Sequence, residues 1–194
     1  MILYLHGFRS SPLSMKARLL AARMAALGRE GEWICPQLPA SPKAAMALAM
    51  SLVKNTQPDE LSVIGSSLGG YYATWMAEQL GCRAVLLNPA VTPLRDLEKY
   101  VGVSTDYHTG QPFDFRPEYI AELGTLAVAA ITRPARYFLI AATGDEVLDY
   151  RTMTAHYAGA RQQVIDGSDH AISEFADYLA PVLAFCGIDA NERK

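Results

Sequence analysis

LSVIGSSLGGYYA, residues 61–73, sets the frame for the rest of the chain. Leu61, Val63 and Ile64 form a short apolar, β-branched run, the pattern of a buried strand. The run stops at Gly65-Ser66-Ser67-Leu68-Gly69-Gly70, and Tyr71–Leu80 resumes at helical spacing. Strand, G-x-S-x-G and helix together form a nucleophile elbow with Ser67 at its tip. A serine on so sharp a turn is held in strained backbone geometry, where side chains two residues away would clash. Gly65 and Gly69 remove those side chains, so the Ser67 hydroxyl stands clear at the C-terminal edge of the sheet. A helix starting near Leu68 then aims free N–H groups at developing negative charge. Ser66 competes for the role, and the glycine spacing selects Ser67. A plain small-residue turn is the bland alternative. Roughly 0.06 copies of the motif are expected by chance in a chain this long, which argues against it.

Strands and helices alternate on both sides of this unit. Ile2–Leu5 is an apolar strand that runs into the loop His6–Pro12. Ser14–Leu27 reads as a helix with Lys16, Arg18 and Arg23 to the outside, ended by Gly28. Glu32–Cys35 is a short strand stopped by Pro36 and Pro39, and Ser41-Pro42 reads as N-cap and first residue of a helix to about Asn55. Ala84–Leu87 is a strand ahead of Asn88-Pro89. Arg136–Ala142 and Gln162–Ile165 are the last strands, with helices Tyr150–Ala158 and Ile172–Phe185. Residues 91–134 break the rhythm, with Arg95–Val101 and Pro117–Ile131 helical around a Gly-, Pro- and Thr-containing loop at 102–116.

This pattern predicts an α/β fold, a three-layer sandwich of about six mostly parallel strands with helices on both faces. The expected organisation is a single domain over 1–194, with 91–134 as a small helical cap insertion. Right-handed crossovers bring the strand C-termini to one edge, where sites of such folds lie. The residues to inspect are therefore those after each strand.

A serine hydroxyl is a weak nucleophile at neutral pH without a base, and the base needs an orienting acid. Asp145 follows the strand RYFLIAA, and His170 follows QQVI. The chain order Ser67, Asp145, His170 is that of the α/β-hydrolase triad. Taken alone, Asp145 also reads as a turn or capping residue and His170 as an exposed loop histidine; the shared order favours catalysis. Asp149 reads as an N-cap, Glu146 as solvated, and His108 and His156 as surface or packing residues. Leu68 N–H and Phe8 N–H are the expected oxyanion donors, with Gly7 allowing a close approach. His6 is expected to fix that loop by hydrogen bonding.

At 194 residues, 51% hydrophobic and 19% charged, the composition is that of a soluble globular protein. A net charge of −3 gives no reason to propose nucleic acid or an anionic membrane as partner. No apolar run spans a bilayer, and the N-terminus lacks a basic, cleavable leader. Cys35, Cys82 and Cys186 are odd in number and far apart, which favours buried thiols over a disulfide framework or a metal site. A cytoplasmic setting is the expectation.

With these residues laid out, the chain resembles the α/β-hydrolase superfamily, and more specifically the small bacterial YqiA-type esterases. YLHGFRSSP (4–12), PQLP (36–39), IGSSLGGYYATW (64–75), NPAV (88–91), TGDEVLDYR (143–151) and GSDHAI (167–172) carry the resemblance from end to end. It implies hydrolysis of carboxylic esters or acyl thioesters without a cofactor or metal. It also implies Ser67, Asp145 and His170 as triad, Phe8 and Leu68 as oxyanion donors, and loss of the superfamily's N-terminal antiparallel hairpin. Acyl transfer on the same scaffold and a non-catalytic binding protein are the competing readings. Tyr100, Tyr107, Phe113, Phe115 and Tyr119 read equally as acyl-pocket lining and as packing of the cap. Tyr71 and Tyr72 read as helix packing.

Overall fold

A computed structural model describes residues 1–189 of the chain. Six strands form one sheet: β1 (Ile2–Leu5), β2 (Trp33–Ile34), β3 (Ser62–Ser66), β4 (Arg83–Leu87), β7 (Tyr137–Ala142) and β8 (Arg161–Ile165), in the order β2-β1-β3-β4-β7-β8. Every pairing in it is parallel. A parallel sheet needs crossovers, and the helices α1 (Met15–Ala26), α2 (Pro42–Val53), α3 (Leu68–Leu80) and α6 (Tyr150–His156) supply them.

Alternation along each strand sends neighbouring side chains to opposite faces. Leu3, Leu5, Val63, Leu86 and Leu139 pack with α2, α3 and Met153 of α6. Ile2, Tyr4, Ile64, Val85, Phe138 and Ile140 pack on the other face with α1 and the final helix α7 (Leu179–Phe185). Both faces are covered over the inner strands β1, β3, β4 and β7, which are buried almost throughout and rich in apolar residues, whereas the edge strand β8 is mostly exposed. Cys82 and Cys186 are buried, and Cys35 is half-buried.

Three segments depart from the sequence expectation. Residues 102–116 are not a loop: β5 (Gly102–Thr105) and β6 (Pro112–Phe115) form an antiparallel hairpin. Its tip is organised by Asp106, whose Oδ1 accepts the His108 and Thr109 amides at 2.8 Å each, and by Gly110 at φ +68°. The expected helix at 117–131 stops at Thr125 as α5 (Glu118–Thr125); beyond it Glu78 takes both the Thr132 amide, at 3.1 Å, and its hydroxyl, at 2.6 Å. The expected helix 172–185 is interrupted. Ile172 adopts φ +51°, a 3₁₀ turn covers Phe175–Tyr178, and Pro181 lacks the N–H that would continue a helix from residue 177.

The hairpin and α4 (Pro93–Glu98) lie over the C-terminal edge of the sheet. Phe8 in the loop after β1 is the contact point, its ring centroid 5.1 Å from Phe113 and 5.0 Å from Phe115, both edge-on. Arg9 adds two bonds: its Nε donates to Thr105 O at 2.7 Å, and its carbonyl accepts the Tyr107 amide at 2.8 Å. Among the described residues, no helix is long and apolar enough to cross a membrane.

Candidate active site

Ser67 sits between β3 and α3 at φ 55°, ψ −122°, a conformation that a non-glycine residue adopts only when its surroundings enforce it. The enforcing bonds are local. Ser67 N–H donates to Leu87 O at 3.0 Å, and Ser67 O accepts the Gly70 amide at 2.9 Å and the Ala90 amide at 3.0 Å. The glycines make the turn sterically feasible. A β-carbon on Gly65 would lie 2.1 Å from Gly69 O, and one on Gly70 would lie 2.5 Å from Pro89 Cβ. Ser67 occupies the N-cap position of α3 yet makes no capping bond with its side chain. The hydroxyl is instead directed to His170, while Ser66 is a buried strand residue paired opposite Leu87.

His170 Nε2 lies 3.0 Å from Ser67 Oγ, and His170 Nδ1 lies 2.8 Å from Asp145 Oδ2. The Asp145 side chain is fully buried and that of His170 is 22% exposed. The other carboxylate oxygen of Asp145 accepts the Val147 and Leu148 amides at 2.8 Å each, so both oxygens are committed and the rotamer is fixed. With Asp145 an acceptor, Nδ1 carries the proton and Nε2 is left free to take one from Ser67. The loops carrying Asp145 and His170 are also joined directly, Gly144 N–H donating to Gly167 O at 2.9 Å and Gly167 N–H to Thr143 Oγ1 at 2.8 Å.

On the other side of Ser67 lies the loop after β1, which carries Phe8, one of the two expected oxyanion donors. A β-carbon on Gly7 would lie 3.2 Å from Ser67 Cβ, so this loop passes directly beside the serine. Phe8 and Leu68 line the same cavity as Ser67 and His170. Behind them, buried His6 accepts the Leu38 amide on Nε2 at 3.0 Å and meets Gly7 O with Nδ1 at 3.0 Å. Accepting on Nε2 assigns the proton to Nδ1, and burial pulls its pKa down, so the ring is a neutral strut between two loops. Asp149 caps α6, its carboxylate accepting the Arg151 amide at 2.9 Å. His108 lies at the hairpin tip, and His156 stacks edge-on against Tyr157.

The cavity over Ser67 has a volume of about 200 Å³. Its lining is mostly apolar, with Ala90, Pro93, Leu97, Val147 and Leu148, and also includes Tyr100, Tyr107 and Lys99. The five aromatic residues of residues 91–134 therefore divide. Tyr100 and Tyr107 line the cavity, whereas Phe115 is buried and packs with Phe113 on Phe8 and with Tyr119.

Three neighbouring contacts are not evident from motif spacing. Glu146, expected to be solvated, accepts the His170 amide on Oε2 at 2.9 Å. Asn88, fully buried, donates to Asp169 O at 3.0 Å and His170 O at 3.1 Å, and accepts the Ala142 amide at 2.8 Å. Lys16 is not outside: it is 8% exposed and donates from Nζ to Ala171 O at 2.5 Å. One signal for its burial was available, since Lys16, Leu20 and Met24 follow one another at helical spacing on one stripe of α1.

Residues 1–187 match the uncharacterised protein family UPF0227. Among solved structures, a candidate hydrolase of Agrobacterium vitis S4 aligns with a TM-score of 0.72 at 16% identity, over 95% of this chain and 87% of that one. Mouse alpha/beta hydrolase domain-containing protein 10 aligns at 0.67 and 14% identity, over 94% and 89%. A monoacylglycerol lipase of Paleococcus ferrophilus aligns at 0.66 and 12% identity, over 95% and 93%. At these identities what is shared is the fold, the six-stranded parallel sheet with helices on both faces. The family match covers nearly the whole chain, and the chain belongs to UPF0227, the YqiA family, built on the α/β-hydrolase fold.

Proposed function

We propose that this protein is a serine hydrolase that cleaves small carboxylic esters or acyl thioesters through an acyl-enzyme on Ser67. The observation that carries the reading is one imidazole, His170, within hydrogen-bond distance of both the Ser67 hydroxyl, at 3.0 Å, and the Asp145 carboxylate, at 2.8 Å. In the first step Ser67 Oγ attacks the acyl carbonyl carbon while its proton passes to His170 Nε2. The carbonyl π pair moves onto oxygen, which faces the Phe8 and Leu68 amides at the start of α3. Collapse breaks the bond to the alcohol or thiol, which leaves with the proton from Nε2. Water then attacks the acyl-enzyme, giving a proton to Nε2, and Ser67 departs as the hydroxyl. Asp145 holds the tautomer and stabilises the imidazolium formed in each half.

The substrate reading follows from the cavity. Its volume of about 200 Å³ lies below the range of sites for drug-sized ligands, and its lining is mostly apolar, which suits a short acyl chain. Residues 91–134 act as a reduced cap: α4 with Tyr100 and Tyr107 bounds the cavity, and the hairpin anchored on Phe8 holds that boundary in place. The test is labelling with a fluorophosphonate alongside hydrolysis of short p-nitrophenyl esters. One label per chain is expected in the wild type and none in Ser67→Ala, which should keep less than about 1 part in 10⁴ of the rate. A folded Ser67→Ala protein that still turns over esters near the wild-type rate would reject the proposal. Release of free acid in the presence of added alcohols separates hydrolysis from acyl transfer.

A further inference from the structure

Three successive backbone carbonyls around His170 are held by side chains from distant parts of the chain. Asn88 Nδ2 donates to Asp169 O at 3.0 Å and to His170 O at 3.1 Å, and Lys16 Nζ donates to Ala171 O at 2.5 Å. Residues 169–171 belong to no helix or strand, and left-handed residues flank them, Ser168 at φ 58° and Ile172 at φ 51°. Asp169 O also accepts the Ile172 amide at 3.0 Å in a single turn, whereas no sheet ladder or helix takes the His170 and Ala171 carbonyls, and side chains satisfy them.

The two donors reach the segment from different elements. Asn88 follows β4 and is fully buried at φ 41°. Its Oδ1 accepts the amide of Ala142, the last residue of β7 and three residues before Asp145. One amide side chain thus ties the strand that leads to the acid to the loop that carries the base. Lys16 comes from α1, on the face shared with α7. The residue is 8% exposed, and burying a cation is costly unless something is gained. The acyl-transfer steps use neither its charge nor its proton.

We propose that Asn88 and Lys16 are positioning residues that jointly lock the backbone of His170, so that its ring meets Ser67 and Asp145 at once. This rests on the triad reading above. The imidazole must keep two directional bonds on opposite nitrogens, and its loop has no secondary structure to hold it. Displacements of about 1 Å at such a centre cost on the order of 10²-fold in rate.

The test uses Lys16→Met, which keeps the apolar stem without a donor, Lys16→Arg, which keeps a donor, and Asn88→Asp, which keeps the shape but loses both N–H donors. Turnover of a short p-nitrophenyl ester and the rate of fluorophosphonate labelling are measured on each full-length protein, with thermal melts to establish folding. Lys16→Met should lower kcat about 10- to 100-fold with KM within about twofold, and Lys16→Arg should recover most of it. The double variant Lys16→Met/Asn88→Asp should lose less than the product of the single losses, because both residues grip one segment. If Asn88→Asp does not fold, the Lys16 pair decides. A folded Lys16→Met enzyme with wild-type kcat, a loss residing in KM, or an Lys16→Arg no better than Lys16→Met overturns the proposal. Ser67→Ala is run in parallel: if it is inactive while Lys16→Met is unimpaired, only the positioning role fails, and if it remains active the triad reading fails first.

Discussion

Gly69 packs so tightly beneath Leu5 that a β-carbon on it would lie 1.9 Å from the Leu5 carbonyl oxygen. The opposing atom is backbone, so no rotamer change relieves the clash. Gly69→Ala must push α3 away from the end of β1, and Ser67 moves with α3. Overpacking of this kind costs about 1–3 kcal/mol or more. For a chain of this size that corresponds to a melting temperature lower by roughly 2–12 °C. Labelling of Ser67 by a fluorophosphonate should slow by at least about tenfold, as Ser67 and the amides proposed as oxyanion donors leave register. A Gly69→Ala protein that melts and labels like the wild type would show that the elbow tolerates a side chain there.

Asp145→Asn separates orientation from charge. The oxygen that accepts the Val147 and Leu148 amides is retained, so the turn should survive. The other position becomes an NH₂ group facing His170 Nδ1, which favours the tautomer that presents a proton to Ser67 instead of accepting one. Turnover should fall by about 10³- to 10⁴-fold with a nearly unchanged melting temperature. Parallel kinetics and thermal melts check this, and a loss of less than tenfold would remove Asp145 from the assigned role.

What was legible in the sequence was whatever is written locally. The elbow is spelled out by glycines, Gly65 and Gly69 each facing a backbone atom where a β-carbon would lie, and Asp145 and His170 each follow a segment whose composition reads as a strand. The sheet followed for the same reason, since apolar runs buried on both faces leave little ambiguity. The hairpin at 102–115 was not legible, because Val103 and Tyr107 are exposed and only Phe113 and Phe115 find an apolar partner, on Phe8. Lys16 was read as outward-facing because a lysine usually is; its burial depends on a carbonyl 155 residues away. Asn88 looked like punctuation before Pro89, and its three bonds are visible only once β4, β7 and the His170 loop are brought together.

Leu97 offers a test of how the cavity measures the acyl chain. It is 8% exposed, lines the cavity and carries no polar atom on its side chain, so truncation leaves room without orphaning a donor of its own. Leu97→Ala should raise kcat/KM for a hexanoyl ester relative to an acetyl ester by about tenfold, as one methylene in a hydrophobic pocket contributes about 1–3 kcal/mol. A p-nitrophenyl ester series on both proteins measures the ratio. If the ratio is unchanged, the acyl chain lies elsewhere and α4 does not bound it.

Lys16 should also leave a mark on stability that is opposite in sign to its value for catalysis. Burial pulls its ammonium from the ordinary 10.5 down to about 8, against the opposing pull of Asp169 and Asp145. Between those two values the unfolded chain binds a proton that the folded chain has released. The contribution of Lys16 to stability therefore rises with pH across this window, and below pH 8 the folded state bears the full penalty of the buried charge. The opposite trend runs through the same range and above it, because burial holds the thiols of Cys35, Cys82 and Cys186 and the phenols of Tyr4, Tyr72, Tyr137 and Tyr157 above their usual ranges, and folding loses stability as these groups ionise in the unfolded chain. Comparison with Lys16→Met cancels the cysteines and tyrosines. From pH 7 to pH 10 the wild type should gain about 2 kcal/mol relative to Lys16→Met, measured by urea unfolding at each pH. Parallel pH profiles for the two proteins would mean that the ammonium is hydrated in the folded state, and the catalytic loop would then be held without the buried charge.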